Sequence, residues 1–113
     1  MPSLEASGTQ AATVGVEHLL ATVTSNKTLV FMVDANAMTN GNSTDAADEL
    51  ELKIETSVLS AGASRVAYLA SFFGAQAEPI LISVPVPSDI QSIFRLKQTA
   101  GVDRSFPWKV LGL

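Results

Sequence analysis

The sequence predicts an all-β protein, an antiparallel β-sandwich of about seven short strands, on the strength of three observations. Residues 49–59, ELELKIETSVL, alternate between apolar and polar almost without a break. Further runs of strand-forming residues follow at steady spacing, bounded by Gly, Pro, Asn or Ser. No long segment carries the apolar period of an amphipathic helix. Jelly-roll and immunoglobulin-like connectivities both fit this pattern.

Residues 49–59 organise the rest. Leu50, Leu52, Ile54 and Val58 alternate with Glu49, Glu51, Lys53, Glu55 and Ser57, and Thr56 suits the inward series. Successive side chains of a strand point to opposite faces, so the pattern sets one face on a core and the other in water or against a polar partner. A helix would mix leucines with glutamates on every side and press charges into any core.

The remaining elements take their places around that strand. Residues 1–13 are small and polar and are expected as a flexible N-terminal arm, either frayed or ordered only against another subunit. They hold neither a basic n-region nor a long apolar run, so they read as neither signal peptide nor membrane anchor. Residues 14–113 are expected as a single β-sandwich domain. Residues 16–24 predict a first strand, with Val16, His18, Leu20 and Thr22 on one face, and Ser25-Asn26-Lys27 as its turn. Residues 28–34 are apolar on both faces and belong mid-sheet or between layers. Residues 34–48 form the long loop, broken most sharply at Asn40-Gly41-Asn42.

After the organising strand and the turn at residues 60–63, residues 65–74 predict a strand with Val66, Tyr68, Ala70 and Phe72 on one face. In residues 80–86, Ile80, Ile82, Val84 and Val86 share a face, and Pro85 and Pro87 drive the far end to a sheet edge or out of the sheet. Residues 90–98 place Phe94 and Leu96 inward with Arg95 and Lys97 outward. Residues 106–111 end the series with Phe106, Trp108 and Val110 together.

Composition narrows the function classes. The 113 residues suffice for one domain with a core of its own. There is no cysteine, which removes disulfide frameworks and thiolate metal sites. A net charge of −4 argues against a dedicated nucleic-acid binder. Only 16% of residues are charged, against roughly 25% in an ordinary soluble domain, so neutral groups cover much of the outside. That shortage points to neighbours covering part of the surface, although abundant alanine supplies a second source for it.

Residues that bear chemistry are few. His18 is the one histidine, and without cysteine it makes a metalloenzyme or a Cys/His nucleophile implausible. A Ser/His/Asp triad would have to use this ring, and no serine sits in GxSxG. Glu49, Glu51 and Glu55 share the polar face of one strand, the pattern of a solvated surface. Asp34, Asn36, Asn40, Asn42, Asp45 and Asp48 offer oxygen ligands in the long loop, but their register fails an EF-hand: glycine is eighth from Asp34 and Asp45 is twelfth. They are expected mainly as turn residues, with a loose calcium site as the lesser reading. Phe106-Pro107-Trp108 with Tyr68, Arg65 and Arg104 offers an aromatic platform for sugar rings, against the commoner role of such aromatics as core. No catalytic, cofactor-binding or metal-ligating residue is assigned, and no cofactor is expected.

Taken together, the segments TLVFMVDANAMTNG, ELELKIETSVLSAGASRVAYLASFFGAQAEPILISVPVP and FRLKQTAGVDRSFPWKVLGL resemble small virion proteins of tailed bacteriophages. The likeness covers most of the chain from Glu17 onward and transfers no catalytic residue. It implies a non-enzymatic structural role on the particle: first a head decoration or cement protein, then a head-tail or tail component. The implied partners are the major capsid protein or other virion proteins, with self-association in the assembly and neither nucleic acid nor membrane. The implied location is the virion, assembled in the host cytoplasm. The rival from another class is a carbohydrate-binding β-sandwich using Trp108 and Tyr68. An enzyme working through His18 or an acidic loop residue comes third.

Overall fold

A computed structural model describes residues 2–113. Nine strands follow in order: β1 (Ser3–Ala11), β2 (Glu17–Val23), β3 (Lys27–Asp34), β4 (Glu49–Thr56), β5 (Arg65–Phe73), β6 (Ile80–Ile82), β7 (Val86–Ser88), β8 (Ser92–Ala100) and β9 (Ser105–Gly112). All pairings are antiparallel. One sheet runs β1-β9-β3-β6, with β7 also on β3, and the other runs β2-β8-β4-β5. The all-β sandwich read from the sequence is therefore the fold.

The connectivity is a jelly roll. With β6 and β7 taken as one broken strand, β1 pairs with β9, β2 with β8, β3 with β6 and β7, and β4 with β5. That is one long antiparallel hairpin of four strand pairs, rolled up so that β9 also meets β3 and β8 also meets β4.

Alternation along β4 does what the sequence requires of it. Leu50, Leu52 and Ile54 are fully buried, while the intervening side chains lie on the outer face. Their row meets Leu29, Phe31 and Val33 of β3, Phe94 and Leu96 of β8 and Phe106 and Val110 of β9 in one core. Phe31 and Phe94 stand edge to face across the two sheets, ring centroids 5.4 Å apart at 69°. Trp108, half-buried, packs against this core from the inner face of β9.

Several expectations need correction. Residues 3–11, expected as a loose arm, form β1, whose whole length pairs with β9. Its small polar residues bury little, so it looked unstructured by composition. What fixes it is backbone pairing, the ion pair of Glu5 with Lys27 at 2.8 Å, and Gly8, where a Cβ would press on the Trp108 indole. In β2 the register slips between Leu19 and Ala21, so Val23 turns inward and Thr22 outward, opposite to unbroken alternation.

The organising strand stops at Thr56, and Val58 is 86% exposed rather than in the inward row. There Ser57 tucks in and bonds Ser64 at 3.1 Å, while the Thr56 hydroxyl donates to the Gln91 carbonyl at 2.9 Å. Residues 80–86 split because Ser83 Oγ accepts from the Phe31 amide at 2.9 Å, replacing a ladder bond, before Pro85 interrupts pairing. Leu81 and Val86 are the core residues of that segment, and Ile80, Ile82 and Val84 face outward.

Replacing a fully buried inward residue with a charge leaves an unpaired carboxylate in the core, at a cost of several kcal/mol against a domain stability of about 5–15 kcal/mol. Ile54→Asp is therefore expected to abolish the cooperative melt followed by circular dichroism. Glu51→Lys, on the outer face of the same strand, is expected to shift stability by about 1 kcal/mol or less.

Candidate functional site

The loops that join the two sheets at one end hold the most organised polar chemistry, and Asp48 is its centre. Asp48 immediately precedes β4 and is fully buried. Its Oδ2 accepts from the Thr39 amide at 2.8 Å and from Arg104 Nε at 3.1 Å. Its Oδ1 accepts from the Val102 amide at 3.0 Å and from Gln98 Nε2 at 3.3 Å. Its backbone carbonyl accepts from the Gly74 amide at 2.7 Å. One residue thus ties together residues 35–48, 74–79 and 101–104.

The surroundings extend the knot. Gln98, also fully buried, donates to the Val102 carbonyl at 2.6 Å and accepts from the Arg104 amide at 3.1 Å. Gly101 has a φ of 97°, and a Cβ there would run into Asp48, so only glycine closes this turn over the carboxylate. Residues 12–16 join through the Val14 amide on Asp103 at 2.9 Å and the Gly15 amide on the Gln98 carbonyl at 2.8 Å. Burial pushes the Asp48 carboxyl up, but the Thr39 and Val102 amides and the Arg104 guanidinium outweigh it and hold the group below its ordinary 3.8. The carboxylate is an internal brace whose lone pairs are directed at its own loops.

The other candidate residues are dispersed. His18 is half-buried at the end of the sandwich, with Nε2 accepting from the Thr13 amide and Nδ1 beside the Gln10 amide, each at 3.3 Å. On the outer face of the four-stranded sheet, Glu55 pairs with Arg95 at 2.6 Å and Glu17 with Lys53 at 2.9 Å. The Glu17 hydrogen bond, helped by Glu51 and Glu55, raises the Lys53 ammonium above its ordinary value. Asn36, Asn42 and Asp45 serve turns: Asp34 accepts from the Asn36 amide and Asn42 from those of Thr44 and Asp45. Asn40 accepts from the Ala75 amide at 2.9 Å. Among the described residues, no three His, Asp or Glu side chains converge where a metal ion would sit.

The aromatics follow the commoner reading as core, and the sugar platform is not assembled. Phe106 is fully buried, Trp108 lies against Gly8 on the inner face of one sheet, and Tyr68 is half-buried on the other, its hydroxyl pushed up by burial. Arg104 is committed to Asp48, and Arg65 lies at the start of β5.

A surface feature missed from sequence lies on the outside of the five-stranded sheet. Cross-strand register aligns Leu4, Leu111 and Val30 in one row, Lys109, Met32 and Ile82 in the next, and Asp34 with Ile80 beyond. Leu4 is 61% and Ile82 59% exposed. A shallow groove of about 280 Å³ runs between Met32, Ile80 and Pro107, with Asp34 and Lys109 at its rim. The signal was the two-sided apolar character of residues 28–34: one side is core, and the other is this face. No family model, curated protein or solved structure matches the chain.

Because the Asp48 pKa is lowered on folding, its contribution is complete above the unfolded value and is lost as pH falls through the folded one. Asp48→Asn is expected to cost about 2–4 kcal/mol near neutral pH, since Arg104 keeps a partly buried charge without its partner. Denaturant titrations should show that this deficit begins to shrink below about pH 4, where the unfolded chain takes up the proton, and closes only as pH falls through the lowered folded value. A deficit constant from pH 7 to pH 2 contradicts the assignment.

Proposed function

We propose that this chain is a non-enzymatic structural component of a bacteriophage particle, a capsid decoration or cement protein that bridges and stabilises shell subunits. The observation that carries the reading is the unlike character of the two outer faces. The four-stranded sheet presents paired charges across its central strands and exposed Leu19, Leu69 and Phe73 only on its edge strands, whereas the five-stranded sheet presents exposed Leu4, Ile80, Ile82 and Val84 beside Met32 and Leu111 across its width. A contiguous apolar face on a chain with few charges favours burial against another protein.

Two further features support it. The segments quoted above resemble small phage virion proteins, and jelly rolls serve both capsid and lectin domains. Between those two uses, the dispersal of Trp108 and Tyr68 onto opposite sheets favours the first over carbohydrate binding. A cement protein strengthens a shell by repeating modest contacts many times, which suits a broad apolar face better than one deep pocket.

The test is made on particles. The protein is expected to co-purify with heads at fixed stoichiometry, and its deletion to lower shell resistance to heat or low salt. Paired Ile80→Lys and Ile82→Lys substitutions, at exposed positions, are expected to leave the melt within about 1 kcal/mol of wild type and to abolish particle binding. Heads that neither contain the protein nor lose resistance without it refute the role.

A further inference from the structure

We infer that β5 is a self-pairing edge, through which two copies of this chain join their four-stranded sheets into one eight-stranded antiparallel sheet. The sandwich has four edges, and each carries some feature that discourages pairing, to different extents. On β1 there is a register shift between Leu4 and Ala6, with Glu5 and Gly8 nearby. On β2 there is a shift between Leu19 and Ala21, with Glu17 at its start. The β6 and β7 edge is two three-residue pieces separated by a gap that holds Pro85, with Pro87 inside β7.

β5 also carries a single shift, near Val66, and Arg65 at its start, but from Tyr68 to Phe73 its register against β4 is regular and its outer face is apolar, whereas the regular run of β1 from Ala6 to Ala11 presents small and polar side chains. No charged residue or proline occurs from Val66 to Ala77, so a second copy meets no like charge along the strand. Leu69 is 56% and Phe73 66% exposed on the outer face.

Hydrogen-bond parity determines which groups are free. The Gly74 amide donates to the Asp48 carbonyl, and antiparallel pairs alternate between bonded and non-bonded positions. Phe72, Ala70 and Tyr68 therefore bond β4, while Phe73, Ser71 and Leu69 direct their N–H and C=O groups away from it. The Gln76 amide takes one lone pair of the Phe73 carbonyl at 2.9 Å, leaving the second.

A two-fold axis at Ser71 makes these groups self-complementary. Leu69 then lies opposite Phe73 of the second copy and Ser71 opposite its counterpart, each pair exchanging two backbone bonds. Leu69 and Phe73 become an aliphatic-aromatic cross-strand pair on both sides of the axis, the combination that sheets favour. The Leu69–Phe73 pair forms twice, on either side of the small Ser71, when the second strand is a copy of β5, and that favours a second copy over an unrelated strand as the occupant. The inference deepens the assembly reading, and rests on it for many copies being gathered in one place.

The isolated full chain is measured by sedimentation velocity over a concentration series, with amide hydrogen exchange at both ends of it. Wild-type protein is expected to dimerise, with the Leu69, Ser71 and Phe73 amides fast in the monomer and slow in the dimer. Leu69→Lys adds an edge charge, and Ser71→Pro removes an N–H that β4 does not use; each is expected to weaken dimerisation roughly tenfold or more. Two variants guard against one failing to fold, and the melt verifies each. Wild-type protein monomeric at millimolar concentration, or a dimer that both folded variants leave at full strength, overturns the inference. Monomeric protein that still binds particles overturns the pairing and keeps the particle role; a β5-paired dimer absent from particles does the reverse.

Discussion

The fold depends on the inner row of β4 being dry. Leu50, Leu52 and Ile54 are fully buried only because β3 and β9 from the facing sheet lie over them, and those strands have no core of their own without that row. Neither sheet outlasts separation from the other, since ordering the backbone costs roughly 1–2 kcal/mol per residue and only burial in the shared interior offsets it. The Phe31–Phe94 contact is the most direct expression of this mutual dependence. Asp48, one residue before β4, couples the same strand to the loops, so the depth of the row and the closure of the sandwich end are set together.

From that constraint follows the contrast between the two outer faces. β4 and β8 spend their outward positions on Glu51, Lys53, Glu55, Arg95 and Lys97, which neutralise each other across strands. β3 and β6 spend theirs on Val30, Met32, Ile80 and Ile82. A domain with few charges that concentrates them on one side leaves the other suited to contact with protein. The edge of β5 belongs to the other sheet, so the proposed docking through the apolar face and the proposed pairing through this edge call on different surfaces of the chain.

Much of the architecture was legible because it rests on local alternation. β4, β8 and β9 bury the residues their sequence pattern assigns to the core: Leu50, Leu52, Ile54, Phe94, Leu96, Phe106 and Val110. What failed were positions where long-range pairing overrides composition. β1 is held by β9, from the opposite end of the chain, and its own side chains give little sign of that. The slip at Leu20 and the use of Ser83 Oγ in place of a backbone group are single-residue events, invisible to a two-residue period. The role of Asp48 was hidden because its partners Gln98, Val102 and Arg104 lie some fifty residues away and become neighbours only when the hairpin rolls up.

Native-state hydrogen exchange tests the shared-core account most directly, by comparing amides of β4 that pair with β8 and amides of β9 that pair with β3. The account predicts that both sets exchange through the same opening, with one free energy equal to that of global unfolding, because neither sheet persists without the other. Exchange of β4 through a smaller opening, while β9 and β3 keep their protection, would show that the five-stranded sheet stands alone and would contradict it.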